Sequence, residues 1–376
     1  MPNFSGIWNL KEQVQAIAAG RWTGITTAEL YAWGSNNSGR LGDGTAANKS
    51  NPVQIGDLTT WAQVSAGNHS AAITVGGELY AWGFGAQGAL GQNDTISRSS
   101  PVQVGALTNW AQVAAGANTA SIKTDGTLWA WGVNVHGQVG DNTTVYKSSP
   151  VQIGALTNWA QVSSDNHNAA ITVSGELYAW GGNNASGQIG DNTVVSRSSP
   201  VQIGALTNWA QVSAGGSHTA AVKTDGTLWA WGGGSSGRLG DGSDITKSSP
   251  VQIGALTNWA QAAAGSEHTA AVKTDGTIWA WGANDNGQVG DNTVVNKSSP
   301  ALIGALTNWL QVSAGLHTAA VTTTGELYAW GGNNYGQLGQ DDIAKRSSPV
   351  QVGALTDWAQ VSAAHHTLAL LQGATN

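Results

Sequence analysis

The segment Tyr/Trp-Ala-Trp-Gly recurs seven times, its second aromatic falling at Trp33, Trp82, Trp131, Trp180, Trp231, Trp281 and Trp330. The steps between copies are 49, 49, 49, 51, 50 and 49 residues. A second series, Trp61, Trp110, Trp159, Trp209, Trp259, Trp309 and Trp358, keeps step with the first inside Asn/Thr/Asp-Trp-Ala/Leu-Gln. A period near 50 residues marks a repeat architecture, in which no unit can bury its apolar surface alone and each packs on its neighbours. The 376 residues therefore read as one array rather than two or three domains.

Residues 101–132 show the content of one unit. Pro101 opens a short apolar run, Val102 to Val104, suited to an edge strand where a missing N–H is tolerated. Ala111 to Ala115 is a run of small side chains that fits the crowded position nearest an axis. Thr119–Lys123 and Thr127–Trp131 flank Thr124-Asp125-Gly126, a hairpin turn signal. In Glu78-Leu79-Tyr80-Ala81-Trp82 both faces of the strand are apolar, as a sheet sandwiched between neighbours requires. The expectation is an all-β chain: a single seven-bladed β-propeller with four antiparallel strands per blade, which leaves only short protected edges. The array starts part-way through a unit and ends on an incomplete one. The last blade is thus expected to close with the N-terminal strand 29–34 added to three strands from 349–371. The domain plan is 1–28, then the propeller 29–371, then a tail 372–376.

Composition removes several functions. Charged residues are 10% and the net charge of −7 includes no basic run, so nothing provides the electrostatic footprint of a nucleic-acid binder. There is no Cys, hence no disulfide and no Cys-based zinc site. No apolar stretch is long enough for membrane insertion, and the opening residues lack a Sec-type signal. No Gly-x-Ser-x-Gly elbow, phosphate loop or Ser–His–Asp set within one unit is present, so no catalytic residues, metal site or cofactor are expected.

Three segments carry a family likeness: Gly215-Gly216-Ser217-His218-Thr219, Gly226-Thr227-Leu228-Trp229-Ala230-Trp231-Gly232 and Gly237-Arg238-Leu239-Gly240. With their equivalents across residues 29–371, they resemble the RCC1-repeat family. The resemblance implies the propeller. It does not choose among that family's activities, which include a chromatin-bound nucleotide exchange factor, a plant ultraviolet receptor and adaptors. The receptor's Gly-Trp-Arg-His-Thr motif is not found; the matching stretches read Gly67-Asn68-His69 and Gly265-Ser266-Glu267-His268.

Before the array, Phe4-Ser5-Gly6-Ile7-Trp8-Asn9-Leu10-Lys11-Glu12-Gln13 resembles the opening of bacteriophage tail and appendage proteins. Asn9 as N-cap, Glu12 in the capping-box position and Gly20 as a stop predict a short N-terminal helix. Trp8, Leu10, Val14 and Ile17 are the candidate anchor, with Leu10, Val14 and Ile17 on one helical face.

Repeating polar residues have structural explanations. His69, His167, His218, His268, His317 and His366, with Asn118 in the second unit, stand one per blade and so do not converge as metal ligation requires. Asp43, Asp141, Asp191, Asp241 and Asp291, replaced by Gln92 and Gln340, suit turns closed by their own side chains rather than a calcium loop. One basic residue per unit, Lys49, Arg98, Lys147, Arg197, Lys247, Lys297 and Arg346, forms a candidate ring for an anionic glycan or an acidic protein surface. The stretches after each Trp-Gly do not repeat, and Phe84, His136, Tyr146 and Tyr335 within these loops are the candidate partner-binding residues. The leading expectation is a non-enzymatic virion component, made in the host cytoplasm. It would dock to other virion proteins through 1–28 and show its loops to a host surface protein or glycan. The alternative is a cytoplasmic RCC1-like adaptor for protein–protein contacts.

Overall fold

Seven four-stranded antiparallel sheets stand around a common axis in the computed structural model, which describes residues 28–183 and 186–373. The expected N-terminal helix and the anchor residues Trp8, Leu10, Val14 and Ile17 lie outside the described residues. Blade 1 has its inner strand at Trp61–Ala66, then His69–Thr74, Leu79–Gly83 and an outer strand at Arg98–Gln103. Blades 2 to 6 repeat this order over residues 110–152, 159–202, 209–252, 259–302 and 309–351. Val113, Ala114 and Ala115 of the Ala111–Ala115 run do line the axis, where inner strands of adjacent blades pack around a central channel of ≈ 860 Å³.

The unit boundary differs from the expected one. Val102 to Val104 does not open the blade that follows. Val102 pairs with Ala81 and Gln103 with Tyr80, so this strand is the outer edge of the preceding blade. Closure shifts accordingly. The N-terminal strand Ala28–Gly34 pairs with His366–Gln372 as expected, with Leu30 opposite Leu370 and Ala32 opposite Leu368. However, Arg346–Gln351 pairs with Leu327–Gly331 in blade 6. Blade 7 therefore takes two strands from each end: Trp358–Ala363, His366–Gln372, Ala28–Gly34 and Lys49–Gln54.

The Trp series form the core between blades. Trp82 is fully buried against Leu30, Ala32, Leu41 and Ile55 of blade 7, and the other third-strand Trp residues do likewise around the ring. Trp61 stands edge-on to Tyr80 with ring centroids 5.2 Å apart, a favoured aromatic geometry. Each such Trp is capped by a glycine from the previous blade. At Gly140, with φ +86°, a Cβ would lie 2.7 Å from Trp180 Nε1, so only glycine serves both the left-handed backbone and the close approach.

Candidate interaction surface

Three concentric rings of hydrogen bonds tie each blade to the next and decide which side chains remain available to a partner. The inner ring uses the Gln of the Trp-Ala-Gln strand. Gln311 Nε2 donates to the Val361 carbonyl at 3.2 Å, and Val361 N donates to Gln311 Oε1 at 3.0 Å. Gln112 makes the same pair of bonds to Val162. A side-chain amide here substitutes for the backbone ladder that two non-pairing edge strands cannot make.

The middle ring consists of the repeating histidines. His69 Nε2 lies 2.6 Å from Thr119 Oγ1 in the next blade, and His167, His218, His268 and His317 meet Thr219, Thr269, Thr318 and Thr367 in the same way. His366 closes the circle on Ser70 at 2.6 Å. The Thr119 hydroxyl gives its one proton to the Ala89 carbonyl, so the imidazole must donate from Nε2. That leaves Nδ1 as a bare acceptor, and in His69, His167, His218 and His366 it is buried with no hydrogen-bond partner. A proton placed there would have no acceptor. Burial holds His69 and His268 at about 4 and His167 and His317 at about 3, with His218 and His366 also well below the ordinary imidazole value. Where the second unit has Asn118, the partner is Asn168 instead of a hydroxyl, and Asn168 Nδ2 takes over the bond to the Gln138 carbonyl at 2.7 Å. The histidines thus bridge blades.

The outer ring is formed by the long loop that joins the third and outer strands. In blade 2 this loop donates Asn142 N to the Ser198 carbonyl of blade 3, 2.7 Å away. It is held from within by Asn134, which is fully buried: Oδ1 accepts from Val139 N at 2.8 Å and Nδ2 donates to the Val145 carbonyl at 2.9 Å. Asn36, Asn183, Asn284 and Asn333 repeat this support. Blades 1 and 4 have Gly85 and Gly234 instead, and there the loop closes so tightly that a Cβ would strike the Ile96 or Ile245 carbonyl. Part of each stretch that looked variable is therefore internal scaffold.

These loops share one face with the turns between inner and second strands. The remaining turns form the opposite face. Asp141 closes its own turn by accepting from Thr143 N and Oγ1, as expected for the aspartate series. The candidate basic residues do form a ring at the outer rim of the loop face, but their charge is spoken for. Lys49, Lys147, Arg197, Lys247 and Lys297 pair with Asp43, Asp141, Asp191, Asp241 and Asp291 at 2.5–3.6 Å. In the two blades with Gln in that place, Asp94 and Asp342 pair with Arg98 and Arg346, each at 2.6 Å. The ring is one of ion pairs.

Of the candidate partner-binding aromatics and histidine, His136, Tyr146 and Tyr335 are exposed and Phe84 is half-buried. Phe84, His136 and Tyr146 belong to loops of blades 1 and 2, whereas Tyr335 belongs to blade 6, so they do not form one cluster. Sequence reasoning missed the residue just before the partly repeating turn end: Ile96, Val145, Val195, Ile245 and Val295 are 56–63% exposed. The signal was a β-branched aliphatic two residues before five of the seven basic residues, Ala47 and Ala344 standing there in the other two. Among the described residues no group of three or more His, Asp or Glu is placed to share a metal ion, and no helix is long and apolar enough to cross a membrane.

Comparison with known proteins agrees with this geometry. Residues 159–375 match the RCC1-like domain, and residues 28–73, 76–121 and 125–171 match the regulator of chromosome condensation (RCC1) repeat. The chain belongs to the RCC1-repeat family. No curated protein sequence matches it. Among solved structures, human WBSCR16 has 22% identity over 93% of this chain and 100% of its own, with a TM-score of 0.83. Yeast RCC1 (Prp20) bound to Kap60 has 18% identity, 96% and 93% coverage and a TM-score of 0.83. Prp20p from Saccharomyces cerevisiae, described with its binding properties to Gsp1p and histones, has 19% identity, 96% and 95% coverage and a TM-score of 0.82. At these identities the likeness is one of fold. Nothing in these matches supports the virion reading of the opening residues; they favour the RCC1-like protein-interaction alternative.

Proposed function

We propose that the chain is a non-enzymatic RCC1-type protein-interaction module that engages partner proteins through the outer rim of its loop face. One observation carries this reading: five blades present a β-branched aliphatic, 56–63% exposed, on loops whose backbone is clamped by buried Asn or closely packed Gly. A rigid scaffold that displays apolar side chains on its loops is a recognition surface in which little entropy is lost on binding. Pairing of all seven repeating rim cations with aspartates leaves shape and apolar contact, rather than the charge of that ring, to select the partner. That a structural neighbour, yeast RCC1 (Prp20), is found bound to Kap60 supports protein binding by members of this family. Residues 1–28 are proposed as a docking segment, 29–371 as the interaction propeller and 372–376 as a tail.

The test is affinity capture from the source cell, comparing wild type with a Val145→Asp, Ile245→Asp double variant by quantitative mass spectrometry. The variant should keep its thermal midpoint and lose the specific partner set. Equal capture by both proteins would sink the proposal.

A further inference from the structure

The face opposite the loops has a different chemistry. Every connection from an outer strand to the next inner strand carries a leucine, and Leu58, Leu107, Leu156, Leu206, Leu256, Leu306 and Leu355 are each 42–49% exposed. Hairpin turns between second and third strands alternate with these connections, Trp110 N donating to the Gly77 carbonyl where the two meet. Those turns carry carboxylates: Asp125, Asp225 and Asp275 in blades 2, 4 and 5, and Glu78, Glu176 and Glu326 in blades 1, 3 and 6. Asp57 and Asp357 add two more, both exposed, in the leucine connections.

Cations on this face are withdrawn. Among the described residues the only Lys or Arg here are Lys123, Lys223 and Lys273, each 5–7% exposed with Nζ 3.7 Å from the ring centroid of Trp129, Trp229 or Trp279. Threonine donors hold Asp125, Asp225, Glu176 and Glu326 below the ordinary carboxylate range, so these groups stay ionised. Three of the leucines also stand beside interblade clefts. Leu107 borders one of ≈ 440 Å³ walled by Trp110 and Trp129, Leu156 one of ≈ 620 Å³ walled by Trp159 and Tyr178, and Leu206 one of ≈ 540 Å³ walled by Trp209 and Trp229.

We infer that this turn face is a second docking surface, whose occupant is an amphipathic helical protein segment with one apolar face and Lys or Arg on the other. The apolar side chains would seat against the leucines and enter the clefts of blades 1 to 4, while the cations meet the ring of carboxylates. Exposed leucines alone would accept any apolar surface; a carboxylate ring with its lysines folded away rejects acidic ones. The same charge repels nucleic acid and anionic lipid.

The experiment uses the full chain and two synthetic helical peptides about 18 residues long, one of Leu and Lys and one of Leu and Glu, each amphipathic. Anisotropy should show binding of the Leu/Lys peptide alone, weakened about tenfold or more between about 50 and about 300 mM salt. A Leu107→Ser, Leu156→Ser, Leu206→Ser variant should lose about tenfold in affinity with unchanged circular dichroism, because each exposed leucine contributes on the order of its apolar area. Val145→Ser with Ile245→Ser, on the loop face, should leave this affinity unchanged, which separates the result from the loop-face reading. Four outcomes overturn the inference: equal affinity of the leucine variant and wild type, binding of the Leu/Glu peptide, peptide binding that needs deletion of residues 1–27, or self-association of wild type that the leucine variant abolishes. The last two assign the face to the chain's own opening segment or to a second copy.

Discussion

Lowering the pH should dismantle this ring through its histidines. Six imidazoles sit fully buried between blades, each donating from Nε2 to a hydroxyl of the next blade. Their folded-state values are depressed, to about 4 for His69 and His268 and about 3 for His167 and His317. A depressed value means the unfolded chain binds more protons, so the stability they contribute is fully present above about pH 6.5 and is lost as pH falls toward about 4. At pH 5 an unfolded histidine gains about 2 kcal/mol from protonation that the folded one does not. His69, His167, His268 and His317 together amount to about 8 kcal/mol, comparable with the whole stability of an ordinary domain, and His218 and His366 act in the same direction. Most of the perturbed carboxylates act with the same sign at lower pH. Burial pushes Asp165 up to about 6, however, so between about pH 4 and 6 it opposes the histidines by taking its proton in the folded chain.

The direct assay is proton uptake on urea unfolding in weakly buffered solution at pH 5, where about four protons are expected from His69, His167, His268 and His317, with His218 and His366 adding to the uptake and Asp165 releasing about one. His218→Asn combined with Thr269→Asn copies the Asn118–Asn168 pair already present between blades 2 and 3. That double variant should fold and take up about one proton fewer, reducing the pH slope of stability by about 1.4 kcal/mol per unit. Uptake near zero at pH 5, or histidine NMR titrations near 6.5 in the folded protein, would refute the reasoning.

Three further outcomes follow from the packing. Gln311→Ala should cost about 2–3 kcal/mol in denaturant titrations, because it strands the buried Val361 N–H and carbonyl. Gly140→Ala should cost clearly more than Gly254→Ala by thermal unfolding. Both have φ near +65° to +86°, but only at Gly140 would the Cβ meet Trp180 Nε1 at 2.7 Å, while nothing lies within 4 Å of Gly254, where the cost is about 1–2 kcal/mol of backbone strain. Lys223→Gln should cost about 1 kcal/mol and alter the near-ultraviolet dichroism, since Lys223 Nζ lies 3.7 Å from the Trp229 ring.

Legibility tracked how local each feature was. Small residues at Ala111–Ala115 read correctly as an inner strand because crowding at an axis acts on one strand at a time. The aspartate turns read correctly because Asp141 bonds its own Thr143, two residues on. By contrast, the partner of Lys147 is Asp141, six residues earlier across a folded loop, and nothing in a lone Lys indicates that its charge is spent. The exposed leucines were equally silent, since Gly-Ala-Leu-Thr-Asn reads as an ordinary connection until its face is known.

From the sequence alone came the period, the seven blades, the four strands in each and the meeting of the two ends in one blade, because these depend on counting patterns that every unit repeats. Only the tertiary structure decided where one blade stops and the next begins, and that blade 7 takes two strands from each end. In a tandem repeat any 50-residue frame shows the same motifs, so the pairing of Arg98–Gln103 with the strand before it, rather than after, is set by contacts no single unit contains. The same holds for the His69–Thr119 bridge, whose partners are a full repeat apart, and for the division of the surface into an apolar, charge-paired loop rim and an acidic leucine-bearing turn face.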